Sequence, residues 1–232
     1  RDRDRWHRNP PSVQALSDLP PMSRRWVDNR RYFLEGGQAG IETKRGCPNL
    51  CIYCADPLAK GHRVQTRPAK AVVDELERLL ELGIDHIHTC DSEFNVPPEH
   101  AHEVCQEIIK RHLGERLRWY AYCAPVPFSP ELSRLMRRAG CMGINFGTDS
   151  GDGEMLKRLK RNFTPEDAFH TVRWCKESGI AVMLDLLLGS PGETQESLLR
   201  TVEWMKRVEP DRFGVAVGVR VYPGTELASE VK

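Results

Sequence analysis

The stretch Ile41-Glu42-Thr43-Lys44-Arg45-Gly46-Cys47-Pro48-Asn49-Leu50-Cys51-Ile52-Tyr53-Cys54 sets three cysteines in one short loop, with three residues between the first pair and two between the second. No fourth cysteine is near, since the next is Cys90. Three thiolates so spaced can hold three corners of a [4Fe-4S] cube and leave the fourth iron open, whereas a cluster that only carries electrons normally has four protein thiolates. An open iron points to chemistry at the metal itself, and therefore to an enzyme. A zinc knuckle completed by His62 is the alternative that the spacing leaves open. A disulfide is disfavoured, because nothing here looks secreted and cytosolic thiols stay reduced.

Outward from this loop, short apolar runs alternate with amphipathic stretches from Ala39 onward, the pattern of repeated β/α units around a parallel sheet. Strands are expected at 39–43, 86–90, 117–123, 143–147, 181–188 and 213–221. A helix from Ala69 puts Val72, Val73, Leu76, Leu79 and Leu80 on one face and stops at Gly83. Further helices are expected at 98–112, after the cap Ser129 up to Gly140, at 154–160, at 164–178 and at 196–208. The run 181–188 is nearly all apolar, which predicts a strand buried on both faces. Six units are fewer than the eight that close a barrel of about 250 residues. The fold class is therefore α/β, a partial (β/α)6 TIM-like barrel over residues 39–232, whose ligands belong at the C-terminal strand ends.

The strand, the Arg45-Gly46-Cys47-Pro48 entry and the aromatic Tyr53 before the last cysteine together resemble the signature of the radical S-adenosylmethionine (radical SAM) enzymes. The resemblance implies a [4Fe-4S] cluster on Cys47, Cys51 and Cys54, with SAM chelated at the open iron and cleaved reductively to a 5′-deoxyadenosyl radical. It extends to the strand-end segments. After the second strand come Asp91, Ser92, Glu93 and Phe94, as in the cobalamin-dependent branch. Asp91 or Glu93 would bind the methionine ammonium of SAM, and strand phase does not say which points inward. After the fourth strand, Thr148, Asp149 and Ser150 resemble a ribose motif in which Asp149 stands where Glu is usual. After the fifth, Gly189, Pro191, Gly192 and Glu193 resemble a turn that meets adenosine, and Tyr222 after the sixth stands where the family holds adenine. Loop caps and solvated acids are the plainer account of these segments.

Cys90 and Cys123 end strands two and three, where either would supply a hydrogen atom or accept a methyl group, while Cys105 and Cys175 read as small buried hydrophobes. His86 and His88 are expected to pack beneath helices, and Arg63 and Arg67 to be within reach of the SAM carboxylate. Residues 1–38 are rich in Arg, Asp and Pro and read as an extended linker, with Trp6, Trp26 and Tyr32 packing on a neighbour. The segment from Leu16 to Val27 resembles the connector that follows an upstream cobalamin-binding domain. The chain starts at Arg1, so a fragment of a larger protein is expected. The resemblance then implies cobalamin as a further cofactor, a methyl transfer to a small-molecule substrate, and flavodoxin or ferredoxin as electron donor. Methylthiotransferases acting on tRNA have a similar cysteine loop, and a ferredoxin-like or zinc-binding module is the non-enzymatic alternative. The net charge of +1 gives no field for nucleic acid, and no apolar run suggests a membrane span or leader, so a cytoplasmic protein is expected.

Overall fold

A computed structural model of the chain describes residues 15–231. Its strands are β1 (Ala39–Ile41), β2 (Lys44–Arg45), β3 (Gln65–Thr66), β4 (His86–Thr89), β5 (Arg118–Cys123), β6 (Cys141–Asp149), β7 (Ala181–Leu188) and β8 (Arg212–Val217). Six of them form one parallel sheet in the order β1-β4-β5-β6-β7-β8, and β2 and β3 pair as a small antiparallel hairpin around the cysteine loop. The helices are α1 (Asn29–Leu34), α2 (Asp56–Lys60), α3 (Ala69–Glu81), α4 (Pro98–Lys110), α5 (Pro130–Arg138), α6 (Gly153–Arg158), α7 (Pro165–Glu177), α8 (Gln195–Val208) and α9 (Glu226–Glu230). This is the expected partial (β/α)6 barrel. All six β/α strands fall at the expected places, and the order of the sheet follows the order of the chain.

Local chemistry explains why the elements start and stop where they do. Ser129 Oγ accepts from Leu132 N ahead of α5, and Thr164 and Asp167 cap each other in a reciprocal box ahead of α7. Gly140, at φ +92°, lies where an added Cβ would strike the Leu117 carbonyl at 2.4 Å, so the turn from α5 into β6 requires glycine. In α3 the expected face, Val72, Val73, Leu76, Leu79 and Leu80, is buried. Each such side chain contributes about 1.5–3 kcal/mol of burial. Together with Ile87, Trp119, Ile144 and Leu184 from the strands it forms one core between the sheet and the helices.

The other face of the sheet is concave and open, which corrects two expectations. β7 is not buried on both faces: Val182, Leu184 and Leu186 are buried, while Met183, Asp185 and Leu187 between them are half-buried. Its apolar run serves two surfaces, the helix-covered one and the barrel interior. His88 likewise lies on the concave face, its ring edge-on to Tyr122 at 5.2 Å rather than beneath a helix, while His86 is exposed with its ring stacked on Phe33 of α1. β8 ends at Val217, four residues before the expected Val221, and Phe213, Val215 and Val217 are exposed.

Residues 15–38 hold a short helix, α1, that the prolines left room for, with Asp28 accepting from Arg31 N. This segment is anchored by Arg24, which donates to Gly40 O and to the buried carboxylate of Glu75; Arg67 holds the other oxygen of Glu75. Trp26 is 79% exposed and Tyr32 55% exposed, so neither packs on the barrel. Trp6 lies outside the described residues. No helix among the described residues is long and apolar enough to cross a membrane.

Candidate active site

At the C-terminal end of the sheet, Cys47, Cys51 and Cys54 line one cavity of about 190 Å³. Tyr53 and Glu93 share its wall, as do Tyr122, Arg161 and Asp185 from β5, the turn after α6, and β7. The cysteine loop is held from both ends of the chain. Cys47 N donates to Gly61 O, Ile52 N to Leu159 O, and Leu227 N of α9 to Ile52 O. Gly46, at φ +106°, sits where a Cβ would meet the Arg63 carbonyl at 2.4 Å, so only glycine lets the chain enter the loop. Burial pushes the Cys47 thiol up to about 11 and raises Cys51 and Cys54, with Arg161 opposing the rise at Cys51.

Of the two acidic candidates after β4, the structure turns Glu93 to the cavity and Asp91 into the fold. Asp91 is 3% exposed and accepts from Thr43 N at 2.7 Å, Thr43 Oγ1 at 2.6 Å and Lys44 N at 3.1 Å. It clamps the end of β1 to the loop after β4, and both its oxygens are taken. Lys44, itself buried, donates to the Phe94 carbonyl, and its ammonium is lowered to about 8 by burial against the pull of Asp91. Glu93 keeps its carboxyl beside the thiols, where burial raises it to about 7. Neither Cys90 nor Cys123 lines the cavity. Cys123 is wholly buried on the helix side of β5, and Cys90 is exposed with Sγ 2.6 Å from where a Gly40 Cβ would stand. Arg67 is likewise spent on Glu42 O and Glu75, and Arg63 does not line the cavity.

The segment after β6 divides in the same way. The register with β7 slips between Gly147 and Asp149, and Asp149 adopts φ +60°, a conformation that disfavours side chains other than Asn and Asp. The slip aims Asp149 at Tyr53, whose hydroxyl donates to Oδ2 at 2.6 Å. Thr148 and Ser150 turn away: Thr148 Oγ1 donates to Asp185 O, and Ser150 Oγ bonds Thr201 Oγ1 within the core. Gly189 and Gly192 take positive φ in a turn closed by Glu193, whose Oε2 accepts from Gly189 N. Ser190 Oγ and Glu193 Oε1 are buried there without a partner in the chain. This turn, with Pro191, and Tyr222, which is 40% exposed, lie outside the cysteine cavity.

Arg161 stands in no motif of the sequence. It lies 3.2 Å from Asp149 Oδ2, donates to Cys51 Sγ at 2.9 Å and to the Gly147 carbonyl, and covers the Phe163 ring. Its distance along the chain from Cys51 leaves no local signal. Both members of the Arg161–Asp149 pair are buried. Arg161→Met is expected to cost about 3 kcal/mol or more of folding stability, because it strands a buried carboxylate. Urea denaturation of the metal-free protein measures this, and an unchanged midpoint would show that Asp149 needs no counter-charge.

The donor set suits a cluster. Three soft thiols line one cavity, which is the donor chemistry an iron–sulfur cluster uses. Comparison with known proteins agrees with this chemistry. The Radical SAM superfamily is matched over residues 41–205. Tryptophan 2-C-methyltransferase of Streptomyces laurentii is 36% identical over 97% of this chain and 40% of its own length. The radical S-adenosylmethionine methyltransferase TsrM of Kitasatospora setae, solved with cobalamin and a [4Fe-4S] cluster, superposes with a TM-score of 0.84 at 38% identity, over 88% of this chain and 38% of that one. A second structure of that enzyme holds tryptophan substrate and a SAM analog, aza-SAM. Ribosomal protein uS12 methylthiotransferase RimO of Heliobacterium modesticaldum is 28% identical over 83% of this chain and 44% of its own length. The chain thus spans about two fifths of the length of these relatives.

Proposed function

The chain belongs to the radical SAM superfamily, and from that premise we propose that it is the barrel of a cobalamin-dependent enzyme that methylates a small molecule. The observation that carries the reading is the single cavity shared by Cys47, Cys51, Cys54 and Glu93 at the strand ends. The three thiols would ligate a [4Fe-4S] cluster through three of its irons. Glu93 is the carboxylate that the methionine ammonium of SAM would meet there, and Asp149, which does not itself line the cavity, bonds Tyr53 and pairs with Arg161, two residues of its wall. Gly189, Pro191, Gly192, Glu193 and Tyr222 would border the adenosine. When bound, SAM and cobalamin would supply the methyl group and its carrier.

The chain's own residues prepare this chemistry. Burial favours the protonated form of the three thiols, so binding of a metal there would release protons. The Arg161 guanidinium beside Cys51 offers a hydrogen bond to the sulfur, a contact that tunes iron–sulfur potentials. Residues 1–38 would join the barrel to a cobalamin-binding domain, and the exposed Trp26 and Tyr32 supply apolar surface for such a neighbour. A flavodoxin or ferredoxin would deliver electrons, and the cytoplasm is the compartment that keeps eight free cysteines reduced.

Anaerobic reconstitution of the full-length protein with iron, sulfide and cobalamin tests the reading. SAM is expected to perturb the cluster spectrum, and a methylated product is expected when aromatic amino acids are offered. Sulfur insertion without methylation would favour the methylthiotransferase alternative. A cluster spectrum indifferent to SAM would remove the proposal.

A further inference from the structure

The opposite end of the barrel carries a second recess, which the proposed function does not use. It is a cavity of about 640 Å³ lined by Arg118, Arg137 and Arg138 together with His112, Met142 and a single carboxylate, Glu115. Arg118 is the first residue of β5 and Met142 the second of β6, so the recess lies at the far end of the strands from the cysteine cavity. No carboxylate pairs with any of these three arginines among the described residues. Arg111, just past α4, shows the contrast, since Asp74, Glu77 and Glu107 all hold it. Three unpaired guanidinium groups around one hollow repel one another, and an anion between them relieves that repulsion.

The walls hold two of these groups in place. Arg118 Nη1 donates to the carbonyls of Glu115 at 2.8 Å and Leu117 at 3.0 Å, which leaves the rest of its guanidinium to other acceptors. Arg137 Nη1 rests on the Met142 sulfur at 3.2 Å. Gly114 lets the loop between α4 and β5 cross the end of α5, where an added Cβ would stand 2.2 Å from the Arg138 carbonyl, and the crossing brings Arg118 and Arg138 to one hollow. The charges of Arg137 and Arg138 suit the C-terminus of α5, but that accounts for neither the third arginine, on a strand, nor the cavity they share. An adjoining recess of about 570 Å³ shares Glu115, Arg118 and Met142 and adds Tyr120, whose ring is 37% exposed and leans over Gly143, 2.8 Å from where a Cβ would be.

We propose that this recess binds a phosphate-bearing small molecule, its phosphate oxygens shared among Arg118, Arg137 and Arg138. Guanidinium matches phosphate because its planar fork donates two parallel hydrogen bonds, and three forks suit a group with more than one negative charge. A hollow of this volume is of the size that small-molecule ligands fill. Tyr120 in the adjoining recess is placed to stack on a flat group attached to the phosphate, as a base is in a nucleotide. None of these residues lines the cysteine cavity, so the site stands or falls apart from the proposed function.

Calorimetric titration of the full-length protein at fixed ionic strength tests it, with sodium pyrophosphate and magnesium-free ATP as probes. Pyrophosphate is expected to bind saturably, and Arg138→Gln is expected to weaken it about tenfold, the scale of a charge-assisted hydrogen bond. Arg134→Gln removes the same charge from the same helix, but Arg134 is exposed, pairs with Glu131 and does not line the cavity, so this variant should stay within about twofold of wild type. Both side chains are exposed, and circular dichroism verifies that both variants keep the fold. Tighter binding of ATP than of pyrophosphate, with the gain lost in Tyr120→Ala, would support the site and identify its ligand as a nucleotide. Equal binding of the two would support a site that reads the phosphate group alone. No saturable binding of pyrophosphate, or an equal loss in Arg138→Gln and Arg134→Gln, overturns the inference.

Discussion

Cys51→Ala is expected to leave the anaerobically reconstituted protein almost free of iron, with its cluster absorption gone. Cys51 lies at the centre of the loop, its sulfur facing the cavity with Arg161 2.9 Å away. Its loss would leave two protein thiolates where a cluster with one open iron needs three. The loss of affinity for the metal should exceed the roughly 10–100-fold that loss of an outer contact costs a metal site. Cys51 is half-buried and belongs to no strand or long helix, so the fold should survive, as circular dichroism would verify. Cys123→Ala is the control: that thiol is wholly buried in the helix-side core, and its removal should lower stability while iron content holds. Equal iron in Cys51→Ala and wild type would remove Cys51 from the ligand set.

Asp91→Leu should produce the largest loss of stability among the substitutions considered. The carboxylate satisfies two backbone N–H groups and the Thr43 hydroxyl, and it opposes the charge of the buried Lys44. Leucine fills similar space and satisfies none of these groups. Leaving buried donors unpaired and an ammonium without its counter-charge is expected to cost about 3–5 kcal/mol. The urea midpoint of the metal-free protein measures it. Glu93→Gln is the companion variant, since Glu93 lies in the cavity wall and holds no part of the fold together through a recorded hydrogen bond; its stability should stay near wild type. If Asp91→Leu were tolerated and Glu93→Gln were not, the assignment of the two carboxylates would be reversed.

These two carboxylates show where sequence reasoning stops. Asp91 and Glu93 are two apart just past the end of a strand, and alternation alone would put both on one face. They diverge because the chain leaves β4 at Thr89 and bends, so strand phase no longer applies. At β6 the expected strand ended at Gly147, whereas the observed one continues to Asp149 through a register slip. Along the continued strand, alternation sends Asp149 to the face opposite Thr148 and Ser150, so the three residues of the expected ribose motif divide between two faces. The cysteine loop needed no such correction, because its three thiols are close in sequence and Gly46 and Tyr53 beside them already constrain the turn.

The six β/α units, their order, most helix ends and the grouping of three cysteines at a strand end are legible along the chain. All of these rest on interactions among near neighbours: apolar periodicity, caps, and glycines that end helices. Folding alone brings Glu93 to the cavity while Asp91 holds the fold, carries Arg161 to Cys51 from 110 residues away, and sets Asp185 between two glycines. Those facts depend on registers between strands far apart in the chain and on side-chain direction after a bend or slip, and neither leaves a periodic trace in the sequence.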